Sequence, residues 1–145
     1  MSAKLVIGLD GHSSGERALE FASNLAKQIG SCELLVVYVI EWSPYSFQTA
    51  EENAERHKRR EQEVSTARER VVDPAIENLT SQGLNATAIV RHGDVADTLN
   101  SVAKKEGAAQ IIVARSTDKS LSKRIFGSST ANLVMEATVP VTVVN

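Results

Sequence analysis

Five short apolar runs alternate with stretches of helical spacing, and that order limits the folds open to the chain. The runs are Lys4–Leu9, Glu33–Ile40, Ala86–Arg91, Ala109–Ala114 and Val139–Val144. Most are continuous rather than alternating, and the run from Leu34 to Ile40 is the clearest. A strand that is apolar at every position is buried on both faces, as in a parallel sheet covered by helices. Between the strands lie helical patterns. Ser13 or Ser14 can cap a helix through Ala18, Phe21, Ala22, Leu25, Ala26 and Ile29, with Gly30 as its stop. The segment from Gln48 to Gln82 starts charged and then places Val64, Ala67, Val71, Ala75, Ile76 and Leu79 at helical spacing. Pro74 falls inside that pattern and is expected to kink the helix or split it in two. Val95–Glu106 forms a third pattern ending at Gly107, and Ser128 or Ser129 is expected to cap a last helix. The order β-α-β-α-β-α-β-α-β predicts a single Rossmann-like α/β domain over 1–145. Its five-stranded parallel sheet is doubly wound, with helices on both faces and right-handed crossovers.

Composition narrows the function. The chain has 145 residues and a formal charge of −2, which argues against general affinity for nucleic acid. Aromatic residues make up only 4%, so a base-stacking platform is not expected. Cys32 is the lone cysteine, which excludes an intramolecular disulfide and fits a reducing cytoplasm. The N-terminus runs into the first strand without a signal-peptide core, and no apolar run approaches the ~20 residues of a membrane span. The charge run Glu51–Arg70 mixes both signs and reads as a solvated helix face.

In an open α/β sheet, ligands bind at the carboxyl ends of the strands. The loops to inspect are therefore Asp10–Ser14, Glu41–Phe47, His92–Val95 and Arg115–Thr130. The last is the most informative. A buried strand ending at Ala114 feeds a polar loop, and the small, hydroxyl-rich stretch Gly127-Ser128-Ser129-Thr130 opens a helix. Free backbone N–H groups and the helix dipole at such a start favour an anion. Lys119, Lys123 and Arg124 add positive charge to the loop. At the first strand end, Asp10 can accept hydrogen bonds from a ribose or base, or it can organise its own turn and cap the helix.

Several pieces in this order resemble the universal stress protein family. They are Leu5-Val6-Ile7-Gly8-Leu9-Asp10-Gly11 followed by Arg17-Ala18-Leu19, the second strand Leu35–Ile40, and Gly93-Asp94 before a helix. Ile111–Ala114, then Arg124-Ile125-Phe126-Gly127-Ser128-Ser129, and the closing Val139–Val144 complete the match over essentially the whole chain. The family divides into members that bind ATP and members that do not. The ATP-binding pattern, Gly-x2-Gly-x9-Gly-Ser/Thr, falls here on Ala114, Thr117, Gly127 and Ser128. The second half matches and the first half does not. Ala114 adds one methyl group, whereas β-branched Thr117 strains wherever positive φ is required.

The resemblance implies a nucleotide-binding set of Gly8, Asp10, Val39, Ala114, Thr117, Gly127, Ser128 and Ser129. Gly8 and Asp10 border the ribose and adenine, and Val39 offers its backbone to the adenine edge. It further implies ATP, with Mg2+, as the ligand, and a stress-response regulator with slow or no turnover. Asp10 is the only obvious general base, so an ATPase ranks last. The resemblance also implies a homodimer through the last strand, Val141 and Val143 included, and a regulatory protein partner. The alternative is a nucleotide-free, dimeric interaction module. No metal-ligand spacing, P-loop or nucleophile elbow occurs. His12, His57 and His92 are scattered and expected on the surface or in loops, and Cys32 is expected to be inert core.

Overall fold

The computed structural model describes residues 2–9, 14–41, 50–115 and 125–145, with the backbone alone at Ser14, Ala50, Glu52, Asn53 and 125–128. The strands are β1 (Ala3–Leu9), β2 (Cys32–Glu41), β3 (Asn85–Gly93), β4 (Gln110–Ala114) and β5 (Val141–Val144). The helices are α1 (Ser14–Ile29), α2 (Ala50–Ala67), α3 (Asp73–Ser81), α4 (Val95–Glu106) and α5 (Ile125–Glu136), with a π turn, Arg68–Val72, joining α2 to α3. All strand pairs are parallel, and the order is β3-β2-β1-β4-β5. The expected doubly wound sheet is what the chain forms.

The continuity of the apolar runs has a direct cause. Leu5, Ile7 and Leu9 of β1 pack with Ala18, Ala22 and Ala26 of α1 and with Val72, Ala75 and Leu79 beyond the π turn. Val6 points the other way, joining Leu35, Val37, Ile111 and Val113 against Leu99, Val102 and Ala103 of α4 and Leu133 of α5. Period-two alternation thus delivers successive side chains to two separate cores. Leu5, Ile7, Leu34, Leu99 and Leu133 are almost wholly buried. Each such side chain contributes about 1.5–3 kcal/mol of transfer free energy.

As expected, the segment around Pro74 is split into two α-helices, with Pro74 in the first turn of α3 and the π turn bridging them without a gap. The backbone around it stays helical, with Val72 at φ −85° and Asp73 at φ −60°. The N–H of Asp73 donates to the Arg68 carbonyl, five residues back. A proline ring clashes with the carbonyl four residues earlier in a regular helix, and a widened turn relieves that clash.

The helix ends follow simple chemistry. Asp94 Oδ2 accepts from the Asp97 N–H at 3.0 Å and caps α4. Gly107 ends α4 at φ 67°, letting the Ala108 N–H reach the Ala103 carbonyl at 2.8 Å. The last helix differs from expectation. It begins at Ile125, so Ser128 and Ser129 lie inside it rather than at its cap. The last strand is also shorter, Val141–Val144 rather than Val139–Val144. Pro140 before it has no N–H to donate to a ladder, although its carbonyl accepts from the Ile111 N–H at 2.9 Å.

Candidate functional site

The strand order reverses direction between β1 and β4: from β1 the chain steps through β2 to β3 and then returns to the far side of β1. A crevice opens at the carboxyl ends of strands at such a point. Gly8 and Ala114 stand on its two sides, one residue before the end of β1 and at the end of β4.

Gly8 is held by packing. A Cβ there would stand 3.0 Å from Leu99 Cδ1 and 3.0 Å from Val113 Cγ1. That is tighter than ordinary van der Waals contact, so the absent side chain lets α4 and β4 close over β1. Ala114 is half-buried, and its methyl group packs with the core on the α1 side. The extra methyl is therefore absorbed within the protein's own packing.

Val39 packs with the α4 core, and its backbone pairs with Arg91 of β3. It lies one residue past the last β1–β2 pair, Leu9 with Tyr38. β2 thus outruns β1, and Val39 sits at the lip of the crevice. Asp10 and Thr117 lie outside the described residues. Gly127 and Ser128 fall in the opening turn of α5, and Ser129 follows them, half-buried. The opening N–H groups of a helix have no acceptor within it, and the dipole there favours an anion.

One residue of this region escaped the sequence reading. The Arg17 guanidinium, on the first turn of α1, donates to the backbone carbonyl of Arg115. The Arg115 N–H donates to the Val144 carbonyl at 2.8 Å. The residue that leaves β4 is thereby held from both sides, by a helix and by the neighbouring strand. Arg17 and Arg115 are far apart in sequence, so spacing offered no signal. Arg17 had stood out only as part of the family-like stretch after β1.

Of the three histidines, His12 lies outside the described residues, His57 is exposed as expected, and His92 departs from expectation by lying in β3 with its side chain largely buried. His57 Nε2 is 3.2 Å from Glu61 Oε1, one turn on, and His92 at the end of β3 is 3.1 Å from Glu63 Oε2. Cys32 is buried, and burial, with the nearby Glu33 charge, pushes its thiol above the ordinary value. A thiol so placed is a poor nucleophile at neutral pH.

The sequence profile of the Universal stress protein family matches residues 1–145. The chain belongs to the universal stress protein family. No curated protein matches it. Among solved structures, UspA from Lactobacillus plantarum superposes with a TM-score of 0.82 at 18% identity, covering 99% of this chain and 97% of that one. A universal stress protein in complex with cAMP gives 0.68 at 19% identity, with 99% and 97% covered. The universal stress protein from Archaeoglobus fulgidus in complex with dAMP gives 0.63 at 17%, with 99% and 98% covered. At these identities the likeness is one of fold. Among the described residues of this universal stress protein, no helix is long and apolar enough to cross a membrane.

Proposed function

We propose that this universal stress protein binds an adenine nucleotide at the carboxyl ends of β1, β2 and β4 and acts as a cytoplasmic stress-response regulator. What carries the reading is the position of Gly8, Val39 and Ala114 near the carboxyl ends of β1, β2 and β4, where the strand order reverses. Two proteins of the same fold, complexed with cAMP and dAMP, lend it support. So does the double anchoring of Arg115, which fixes where the β4–α5 loop departs. ATP with Mg2+ is the ligand of choice. Its adenine meets the Val39 backbone, its ribose lies by Gly8 and Asp10, and its phosphates face Gly127, Ser128 and Ser129. Turnover is slow or absent, so the nucleotide acts by occupancy.

The working unit is a homodimer. Among the described residues β5 is an edge strand paired with β4 alone, and Val141 and Val143 remain half-buried. An unpaired apolar edge invites a second strand, here that of a second copy.

Calorimetric titration of ATP with Mg2+, and of cAMP and dAMP, into the purified protein tests the site. Saturable heat with a matching thermal shift is expected for at least one of them. No heat and no shift at millimolar nucleotide would sink the reading and leave a nucleotide-free interaction module. The double variant Ala114→Gly, Thr117→Gly then asks whether those two side chains abolished binding.

A further inference from the structure

A second concavity lies away from the crevice, on the sheet face that Val39 turns from. It is a groove of about 430 Å3 between β2 and the α2–π-turn helix, a size suited to a small organic ligand. Its floor is the Tyr38 ring and the Ile40 side chain. Its wall is a stripe of the helix on which Arg59, Glu63, Thr66 and Arg70 recur at about one-turn spacing. The charges there are unbalanced. Glu63 is taken up by His92, at 3.1 Å. Among the described residues, neither Arg59 nor Arg70 has a hydrogen bond or ion pair, and neither does the Tyr38 hydroxyl.

We propose that this groove binds a small organic anion with a flat apolar body, of the aromatic carboxylate class. The carboxylate pairs with the Arg70 guanidinium, whose planar donor fork matches it, while Arg59, three turns away on the helix, adds positive charge at the groove's far end. The aromatic body rests on the Tyr38 ring and Ile40. The π turn bears on the site as well, since Arg70 sits within it and its direction depends on that widened turn.

The test is an amide chemical-shift titration of the intact protein with 2-naphthoate, repeated with the neutral 2-naphthamide. The proposal expects saturating shifts at Tyr38–Ile40 and Thr66–Val71. It expects affinity to fall roughly tenfold or more for the amide and for the double variant Arg59→Ala, Arg70→Ala. Both arginines are exposed, and retention of the variant's amide spectrum checks its fold. The proposal is overturned if 2-naphthoate gives no saturating shifts, if the double variant or the amide binds as well as the parent pair, or if the shifts centre on Gly8 and Ala114 instead.

Discussion

The Arg17 guanidinium reaches across from α1 to the carbonyl of Arg115, the first residue beyond β4. The same residue's N–H is held by Val144 at 2.8 Å. The loop between β4 and α5 therefore starts from a fixed point although Ala114 and Thr117 replace two glycines of the nucleotide-binding pattern. Arg17→Ala should cost about 1 kcal/mol of stability, the usual net worth of one hydrogen bond. Its larger effect should be on the loop. Nucleotide affinity is expected to fall roughly tenfold, read by calorimetric titration beside urea denaturation of the same sample. An unchanged affinity with lowered stability would reduce Arg17 to a structural tie.

Gly8 invites the opposite result. The Cβ of Gly8→Ala would press on Leu99 and Val113, both buried. Overpacking of this kind costs about 1–3 kcal/mol. Combining it with Val113→Ala should cost less than the two single changes summed, because the second opens space for the first. Chemical denaturation of the four proteins of the cycle gives the coupling. Strict additivity would show that the contact is relieved elsewhere.

Asn100 ties α4 to the approach of the edge strand. Its Oδ1 accepts from the Thr138 N–H at 3.0 Å and from the Thr138 hydroxyl at 3.1 Å. Asn100→Ala leaves both donors to water and should destabilise the fold by about 1–2 kcal/mol. Hydrogen exchange should quicken at Val141–Val144 before it does in β1 or β2. Uniform quickening over all strands would contradict a local role.

Glu136 makes part of the stability depend on pH. The Asp97 carboxylate hydrogen-bonds its carboxyl and repels its charged form, and with slight burial and the Asp94 charge raises Glu136 above its ordinary value. A raised folded-state value means that the fold prefers the protonated acid. That contribution is complete below the unfolded value, about 4.3, and is lost as pH rises through the folded value. Glu136→Gln keeps a hydrogen-bonding group without the charge. It should raise the melting temperature at about pH 7.5 and change little at about pH 4. An equal shift at both pH values would remove ionisation from the explanation.

Much of this architecture can be read from residue order, because two-sided burial makes each strand continuously apolar. Leu34 to Val37 announce β2 without help from the fold. The start of α5 is different. Ser128 and Ser129 have the chemistry of a helix cap, yet the helix starts earlier, at Ile125. Local hydroxyls could not reveal that, because capping chemistry and an ordinary first turn share the same residues. The site was legible only in part. Gly8 and Ala114 stand near the carboxyl ends of β1 and β4, but what their neighbours fill is tertiary: Leu99 beside one and the α1-side core beside the other. Arg17 and Arg59 gave no signal, since each depends on what the sheet brings near it.

The π turn at Arg68–Val72 also bears on how the chain tolerates change in length. It separates two helical phases, one largely charged that meets the core through Val64 and Ala67 and one keyed to it through Ala75 and Leu79. A residue gained or lost upstream can be taken up at this widened turn, as a vernier takes up a fraction of a division. The same gain or loss inside α3 would turn Ala75 and Leu79 away from the core. Insertions and deletions should therefore accumulate before Arg68 and be scarce between Asp73 and Ser81.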